Sequence, residues 1–252
     1  MVRAMRTRLG WFLVIVTVLA TVTTSVVLVL RAASSAGSQP ISNQSANFGR
    51  VPSYSLVNQF SRPVTSTQFM GKVQVVSFLF PYCTSYCPLI TRNLVLLERR
   101  LAMMELADKV QFVSFNLDPV GAGPAQMRAY LAQYGADPSD PQWQFLTGTP
   151  AQIYHAVRIG FHIYYAKTSL SAENAEIARE KAAGAYSPQP DEPNALASSA
   201  RVSYDIVHND YIEVVDPTGK IVALFDSGST VTQSQLMRAI DAALTRSARP
   251  RN

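Results

Sequence analysis

Cys83 and Cys87 are the only two cysteines of this 252-residue chain, and three residues separate them in the segment Pro81-Tyr-Cys-Thr-Ser-Tyr-Cys-Pro88. A strand-like run precedes them and a helix pattern follows, so both sulfurs are expected at the N-terminal end of a helix. The helix dipole there favours a thiolate, which is both a nucleophile and a ligand for soft metal ions. Several kinds of site share this spacing. An inert disulfide is the alternative, although so short a loop constrains little of the unfolded chain.

Strand and helix patterns alternate around this pair. The predicted strands are residues 74–80, 110–117, 144–146, 211–215 and 220–225. The predicted helices begin at Pro88, at Pro124, at Pro150 behind a Thr149/Gln152 capping box, and near Thr230. Ile90, Leu94, Leu97, Leu101 and Met104 form the apolar face of the first helix. This order predicts an α/β, thioredoxin-like domain with a mixed central sheet over residues 51–246.

The alternation breaks at about residues 168–200. A polar helix is predicted at residues 172–183 with Gly184 as its stop, and a proline-rich stretch follows at residues 187–193. We interpret this region as a mobile insertion in the domain, because loops of such length are either functional or disordered.

The N-terminal region predicts the location of the domain. Residues 11–30 are uncharged and mostly apolar, which is about the length of one membrane-spanning helix. Arg3, Arg6 and Arg8 precede this span, so residues 1–10 are expected in the cytoplasm and the domain on the extracytoplasmic side of a single-pass membrane protein. Residues 31–50 are interpreted as a flexible tether and residues 247–252 as a tail. A cleaved signal peptide is the alternative, because small residues follow the span.

Charge excludes one class of partner. The chain has 22 Lys and Arg against 17 Asp and Glu, but four of the bases flank the predicted span, which leaves 18 bases against 17 acids elsewhere. A nearly neutral domain lacks the basic surface of a nucleic-acid binder. In an oxidising compartment the two cysteines would form a disulfide unless a reductant or a metal ion kept them reduced.

Three histidines are candidates for a third functional group. His155 lies in a helix pattern and His162 beside apolar residues, so both are interpreted as packing or surface side chains. His208 precedes the turn Asn209-Asp210 at a predicted strand end. Sequence spacing alone does not bring it near Cys87.

Four motifs in order resemble the Sco/SenC family of membrane-anchored, thioredoxin-fold copper proteins. They are Cys83-x-x-x-Cys87-Pro88, Phe115-Asn-Leu-Asp118-Pro119, Phe145-Leu-Thr-Gly148, and Val207-His208 ahead of Val215-Asp-Pro-Thr-Gly219. The resemblance implies that Cys83, Cys87 and His208 bind a copper ion, as Cu(I) and in some states Cu(II). It also leaves Asp118 as either a residue behind the ligands or a helix cap. Thr84 and Ser85 stand where the family commonly has Pro and Asp.

The resemblance implies a copper-binding metallochaperone that assembles the copper site of cytochrome c oxidase, with no enzymatic turnover in the usual sense. Its expected partners are the copper-site subunit of the oxidase or another copper chaperone. An extracytoplasmic thiol-disulfide oxidoreductase that uses Cys83 and Cys87 without metal is the alternative, and a peroxiredoxin-like enzyme is a third. His208 favours copper over the second hypothesis, because two thiolates alone would leave a soft metal site incomplete.

Overall fold

The computed structural model describes residues 48–200 and 202–247. A five-stranded sheet forms the centre, in the order β5-β4-β3-β8-β9. Its strands are β3 (Val73–Leu79), β4 (Val110–Asn116), β5 (Trp143–Leu146), β8 (Ile212–Val215) and β9 (Ile221–Phe225). β3, β4 and β5 are parallel, whereas β8 and β9 are antiparallel to their neighbours. Two small strand pairs accompany the sheet: β1 (Ser55–Val57) with β2 (Pro63–Thr65), and β6 (Tyr165–Ser169) with β7 (Tyr204–His208).

Helices follow the strands in the predicted order. They are α1 (Tyr86–Met103), α2 (Pro124–Gln133), α3 (Pro150–Ile153), α4 (Leu170–Ala182), α5 (Ala195–Ala200) and α6 (Gln233–Ser247), with π-helical turns at Tyr154–Gly160 and short 3₁₀ helices at Ser66–Phe69 and Ala107–Lys109. The predicted thioredoxin-like α/β fold with a mixed central sheet is therefore confirmed. The Thr149/Gln152 capping box is also present, with reciprocal bonds of 3.2 and 2.8 Å.

The core lies on both faces of β3 and β4, which are buried along their whole length. Side chains of a strand alternate between its faces. On one face Ser77 and Ser114 share a 2.8 Å hydrogen bond, and on the other Phe78 and Phe115 stack with ring centroids 5.8 Å apart. Phe161 packs against both phenyl rings of the second face. The sheet is thus a rigid base for the loop that leaves the end of β3.

The helix after that loop begins two residues earlier than predicted. α1 starts at Tyr86 with Ser85 as its N-cap, so Cys87 lies in the first helical turn rather than before it. The predicted apolar face is buried from Ile90 to Leu101. Met104 is the exception: it is the C-cap of α1 and is half exposed, because the helix ends before the pattern does.

The region interpreted as a mobile insertion has regular structure and contacts the domain. β6 and β7 pair at its base, and the predicted polar helix is present as α4, with Gly184 beyond its end at a φ of 69°. Asn194 is buried, and the backbone N–H of Glu192 donates to the carbonyl of Thr84 in the cysteine loop. Residues 192–194 thus contact the cysteine loop, and the mobility of the insertion stays a prediction.

The predicted membrane span at residues 11–30 and most of the tether lie outside the described residues. Within residues 48–200 and 202–247, no helix has the length and hydrophobicity that a membrane crossing requires.

Candidate functional site

The two cysteines lie where β3 gives way to α1. Cys83 is held in the loop by its own N–H, which donates to the Phe80 carbonyl at 2.9 Å. Cys87 is in the first turn of α1, and the Phe80 N–H points at its Sγ at 3.4 Å. Both side chains are buried free thiols. This arrangement follows from the sequence, because the buried strand ends at Leu79 and the helix face begins at Cys87.

His208 reaches the cysteines from the end of β7. Its Nε2 lies 3.3 Å from Cys87 Sγ, although 121 residues separate the two in sequence. Its Nδ1 is 2.8 Å from the Asn209 carbonyl, which only accepts, so Nδ1 carries the proton. In the neutral ring Nε2 therefore presents a lone pair towards Cys87. That lone pair can accept a proton or bind a metal ion.

The pKa values of the two thiols are shifted in opposite directions. A hydrogen bond with Cys87 holds the pKa of the Cys83 thiol well below its usual range, and bonds with His208 and Ser85 oppose the cost of burial. Burial raises the pKa of the Cys87 thiol well above its usual range, and Cys83 adds to the rise. Cys83 is thus the more readily ionised of the two thiols.

The imidazole interacts with both sulfurs. Burial by itself would lower the pKa of His208, but its contacts with Cys83 and with the Asn209 carbonyl raise that pKa overall. Its Nε2 contacts the sulfur of Cys87 at 3.3 Å, whereas the sulfur that raises its pKa is that of Cys83. His208 is partly exposed to solvent, so it forms one wall of the site rather than its floor.

Two thiols and an imidazole suit a soft or borderline metal ion. Sulfur and nitrogen ligands of one ion, about 2.3 and 2.0 Å from it, lie about 3.6 Å apart. The 3.3 Å between Cys87 Sγ and His208 Nε2 is close to that spacing. Across the residues that the structure describes, no group of three or more His, Cys, Asp or Glu side chains is already assembled as a metal site. The three donors must therefore rearrange before one metal ion can be held by all of them.

Asp118 is connected to the site through the strand that carries His208. Its buried carboxylate accepts a hydrogen bond from the Tyr204 hydroxyl in β7 and lies 3.9 Å from Lys167 Nζ in β6. The Gly121 N–H also donates to it at 3.0 Å. The N-cap of α2 is Gly123, so the predicted capping role of Asp118 is wrong. Asp118 instead fastens the β6–β7 pair to the loop after β4.

The other two histidines are exposed, in agreement with the prediction that they lie outside the site. Sequence reasoning missed Ser85 as a contact of the cysteines: its N–H and its hydroxyl lie 3.4 and 3.3 Å from Cys83 Sγ. The available signal was a hydroxyl residue just ahead of a helix, which is a preferred N-cap. Here the hydroxyl meets the sulfur and makes no cap bond.

A groove opens beside the imidazole. Its volume is about 630 Å³, and it lies between α4, the cysteine loop and β7. Ser85, Glu173, Asp205 and His208 are among the residues that line it. The groove therefore reaches the site at His208 and Ser85.

Comparison with known proteins identifies similar chains. Residues 42–186 match the model of the SCO1/SenC family, a range that includes Cys83, Cys87 and Asp118 and ends before His208. A SCO1 protein homolog of Bacillus subtilis (strain 168) is 30% identical over 98 residues, which are 39% of this chain and 49% of that protein. This alignment thus spans about half the length of the relative.

Solved structures share the fold at lower identity. Bradyrhizobium japonicum ScoI with copper bound has a TM-score of 0.54 at 22% identity and covers 78% of this chain and 99% of its own. BsSco, a member of the Sco family of cytochrome c oxidase assembly proteins in which a disulfide switch has been identified, has a TM-score of 0.55 at 20% identity and covers 82% and 97%. Both alignments are long enough to extend through most of the described domain.

Proposed function

Because this chain belongs to the SCO1/SenC family, we propose that it is a copper-binding metallochaperone for the copper site of cytochrome c oxidase, with Cys83, Cys87 and His208 as the copper ligands. One observation carries the proposal. A nitrogen lone pair from the end of β7 lies 3.3 Å from the sulfur of a cysteine 121 residues away. Two thiolates alone would leave a soft metal site incomplete, and this convergence supplies the third ligand.

The donor set agrees with copper. Cu(I) is a soft ion that accepts thiolate ligands and low coordination numbers, whereas a closed structural zinc site takes four ligands. Both sulfurs must be thiolates to bind the ion, and Cys83 loses its proton more readily than Cys87. The relatives support the same ion, since the Bradyrhizobium ScoI structure has copper bound.

Copper is cargo in this proposal. A thiolate of the incoming partner binds copper while the ligands of this chain still hold it, and the proton that the partner thiol gives up returns to Cys87. The partly exposed His208 and the groove beside it give the partner access. The partner is the copper-site subunit of the oxidase or another copper chaperone, in line with the role of the Sco family, to which BsSco belongs, in cytochrome c oxidase assembly.

The proposed location is a single-pass membrane protein with a cytoplasmic N-terminus. Residues 11–30 would anchor the chain, and the domain would face the extracytoplasmic side, where the oxidase copper site is assembled. Cleavage after the span remains the alternative, and the N-terminal sequence of the purified protein distinguishes the two.

His208→Ala tests the ligand set. The full-length chain is purified anaerobically in detergent, and Cu(I) affinity is measured by competition with a chromogenic chelator while free thiols are counted on the same sample. We expect at least about a tenfold loss of affinity, or roughly 1.4 kcal/mol, with both thiols intact. His155→Ala is the matched control, because His155 is exposed and outside the site. Parental affinity in His208→Ala would refute the ligand assignment.

A second function is favoured by the unequal thiols. The low pKa of Cys83 and the high pKa of Cys87 suit a thiol-disulfide oxidoreductase. The Cys83 thiolate would attack a substrate disulfide and release one substrate thiolate. Cys87, after passing its proton to His208 Nε2, would then attack the Cys83 sulfur, form the Cys83–Cys87 disulfide and release the second. A copper-free chain that reduces a disulfide substrate stoichiometrically, yet binds copper no better than a Cys83→Ser/Cys87→Ser double variant, would favour this function.

A further inference from the structure

Asn194 connects the insertion to the cysteine loop. Its side chain is buried, and its Nδ2 donates to the carbonyls of Pro81 and Cys83 at 2.9 and 2.8 Å. These two carbonyls belong to the turn that leads into Cys83, more than a hundred residues earlier in the chain. One amide group therefore holds the backbone on both sides of Tyr82.

The other half of the same side chain is fixed by α5. Asn194 Oδ1 accepts from the N–H groups of Leu196 and Ala197 at 3.0 and 3.3 Å, which is the pattern of a helix N-cap. Both amide protons and both lone pairs are thus in use. The amide cannot turn without breaking bonds to the helix or to the cysteine loop.

Neighbouring residues strengthen this contact. The Glu192 N–H donates to the carbonyl of Thr84, the residue that follows Cys83, at 2.6 Å. Arg92 of α1 pairs with the Glu192 carboxylate at 2.5 Å, and the Tyr134 hydroxyl donates to the Pro193 carbonyl at 3.3 Å. We call residues 192–194 the clamp segment. It binds the loop that holds Cys83 and the helix that holds Cys87.

We infer that Asn194 is a positioning residue for the dithiol, through which the insertion holds Cys83 beside Cys87. A short loop between the strand end and the helix has few backbone partners of its own, and the clamp segment supplies three of them. Fixing two groups in their reactive arrangement in advance lowers the entropy lost when they are joined, by a disulfide or by a shared ion. For copper the inference rests on the proposed function; for the disulfide it does not.

The test separates positioning from helix capping. Asn194→Asp and Asn194→Ser each keep an oxygen that caps α5 as well as Asn does, but neither can donate to both carbonyls. Asn194→Ala loses both roles. The full-length chain in detergent is equilibrated with glutathione redox buffers to measure the dithiol–disulfide equilibrium constant, and Cu(I) affinity is measured on the same preparations. Ser198→Ala is the control, because its hydroxyl bonds the backbone carbonyl of Asn194 and not the side-chain amide.

We expect the disulfide equilibrium constant to fall about tenfold in Asn194→Asp and Asn194→Ser, a change of about 30 mV for this two-electron couple. Copper affinity should fall by a similar factor, and Ser198→Ala should match the parent in both. Parental disulfide constants in the Asp and Ser variants would reduce Asn194 to a helix cap and overturn the inference. If the parent bound no copper, the proposed function would fail, while the disulfide constant would still decide the role of Asn194. Circular dichroism checks that each variant folds. The test needs only one of Asn194→Asp and Asn194→Ser to be folded.

Discussion

Replacing Glu213 by Gln should remove a pH-dependent loss of stability that arises because the fold buries this carboxyl. Glu213 lies in β8, where it is opposite Val76 of β3 and Leu224 of β9. It is 1% exposed, and its Oε2 has no hydrogen-bond partner among the described residues. Burial raises the pKa of this carboxyl from 4.5 to about 8. At neutral pH the folded protein therefore keeps Glu213 protonated.

The size of the effect follows from proton linkage. The unfolded chain releases the Glu213 proton above pH 4.5, but the folded chain does so only near pH 8. Stability from this group is thus fully present below pH 4.5 and declines as pH rises towards 8. One pKa unit corresponds to about 1.4 kcal/mol, so the loss is about 1 kcal/mol at pH 5 and about 3 kcal/mol at pH 7. Between those values the parent should lose about 2 to 3 kcal/mol to this residue.

Urea unfolding of the reduced fragment from Ser38 to Asn252 measures this difference. Glu213→Gln has the same shape without the titration, so its advantage over the parent should grow by about 2 to 3 kcal/mol from pH 5 to pH 7. Any constant cost of the amide in the core cancels in that comparison, as do the titrations of the cysteines and His208. Glu180→Gln, at an exposed position of α4, is the control. Parallel pH profiles for parent and Glu213→Gln would refute the argument, because they would mean that Glu213 is ionised inside the fold.

Two further outcomes follow from the site. Oxidation of Cys83 and Cys87 to a disulfide should abolish copper binding, and reduction should restore it. Copper retention after anaerobic gel filtration measures both changes. Full retention by the oxidised chain would exclude thiolate ligands. A methyl group at Gly121 would lie 2.1 Å from the Asp118 carboxylate and 2.2 Å from the Tyr204 hydroxyl, so Gly121→Ala should separate that pair and cost about 1–3 kcal/mol in urea unfolding. At Gly123 the added methyl would lie 3.6 Å from its nearest neighbour, so Gly123→Ala should cost at most about 1 kcal/mol, the difference between Gly and Ala as the N-cap of α2. Equal stability of the two variants would contradict the close approach.

The sequence is informative where a structure depends on neighbours along the chain. The strand before Cys83, the amphipathic face of α1 and the Thr149 capping box are local patterns, and all are present. The turn between β8 and β9 is local too: Gly219 donates to the Asp216 carbonyl at 2.8 Å, with Gly219 at a φ of 83°. Thus the cysteines could be assigned to the start of a helix before any coordinates were known.

The rest of the site depends on pairing between distant segments. Tyr165 pairs with His208 across the base of the insertion, and neither residue carries a local signal for that register. Only the family resemblance pointed to His208, and the family match itself ends at residue 186. Asn194 directly follows a proline-rich stretch whose composition is typical of a loop. Its partners are backbone carbonyls, which every residue has, so no side-chain pattern could identify them.

Copper binding and disulfide exchange depend on the same atoms, and His208 separates them less cleanly than its sequence position suggested. Its Nε2 lies close enough to Cys87 Sγ to take the proton from that thiol, so a cell lacking the imidazole could fail for either reason. The two chemistries differ in what the lone pair does. A metal ligand contributes to the copper-binding equilibrium, whereas a proton acceptor changes the rate at which Cys87 resolves a mixed disulfide. A fall in copper affinity in His208→Ala therefore identifies a ligand, and a slower resolution step with unchanged affinity identifies a base.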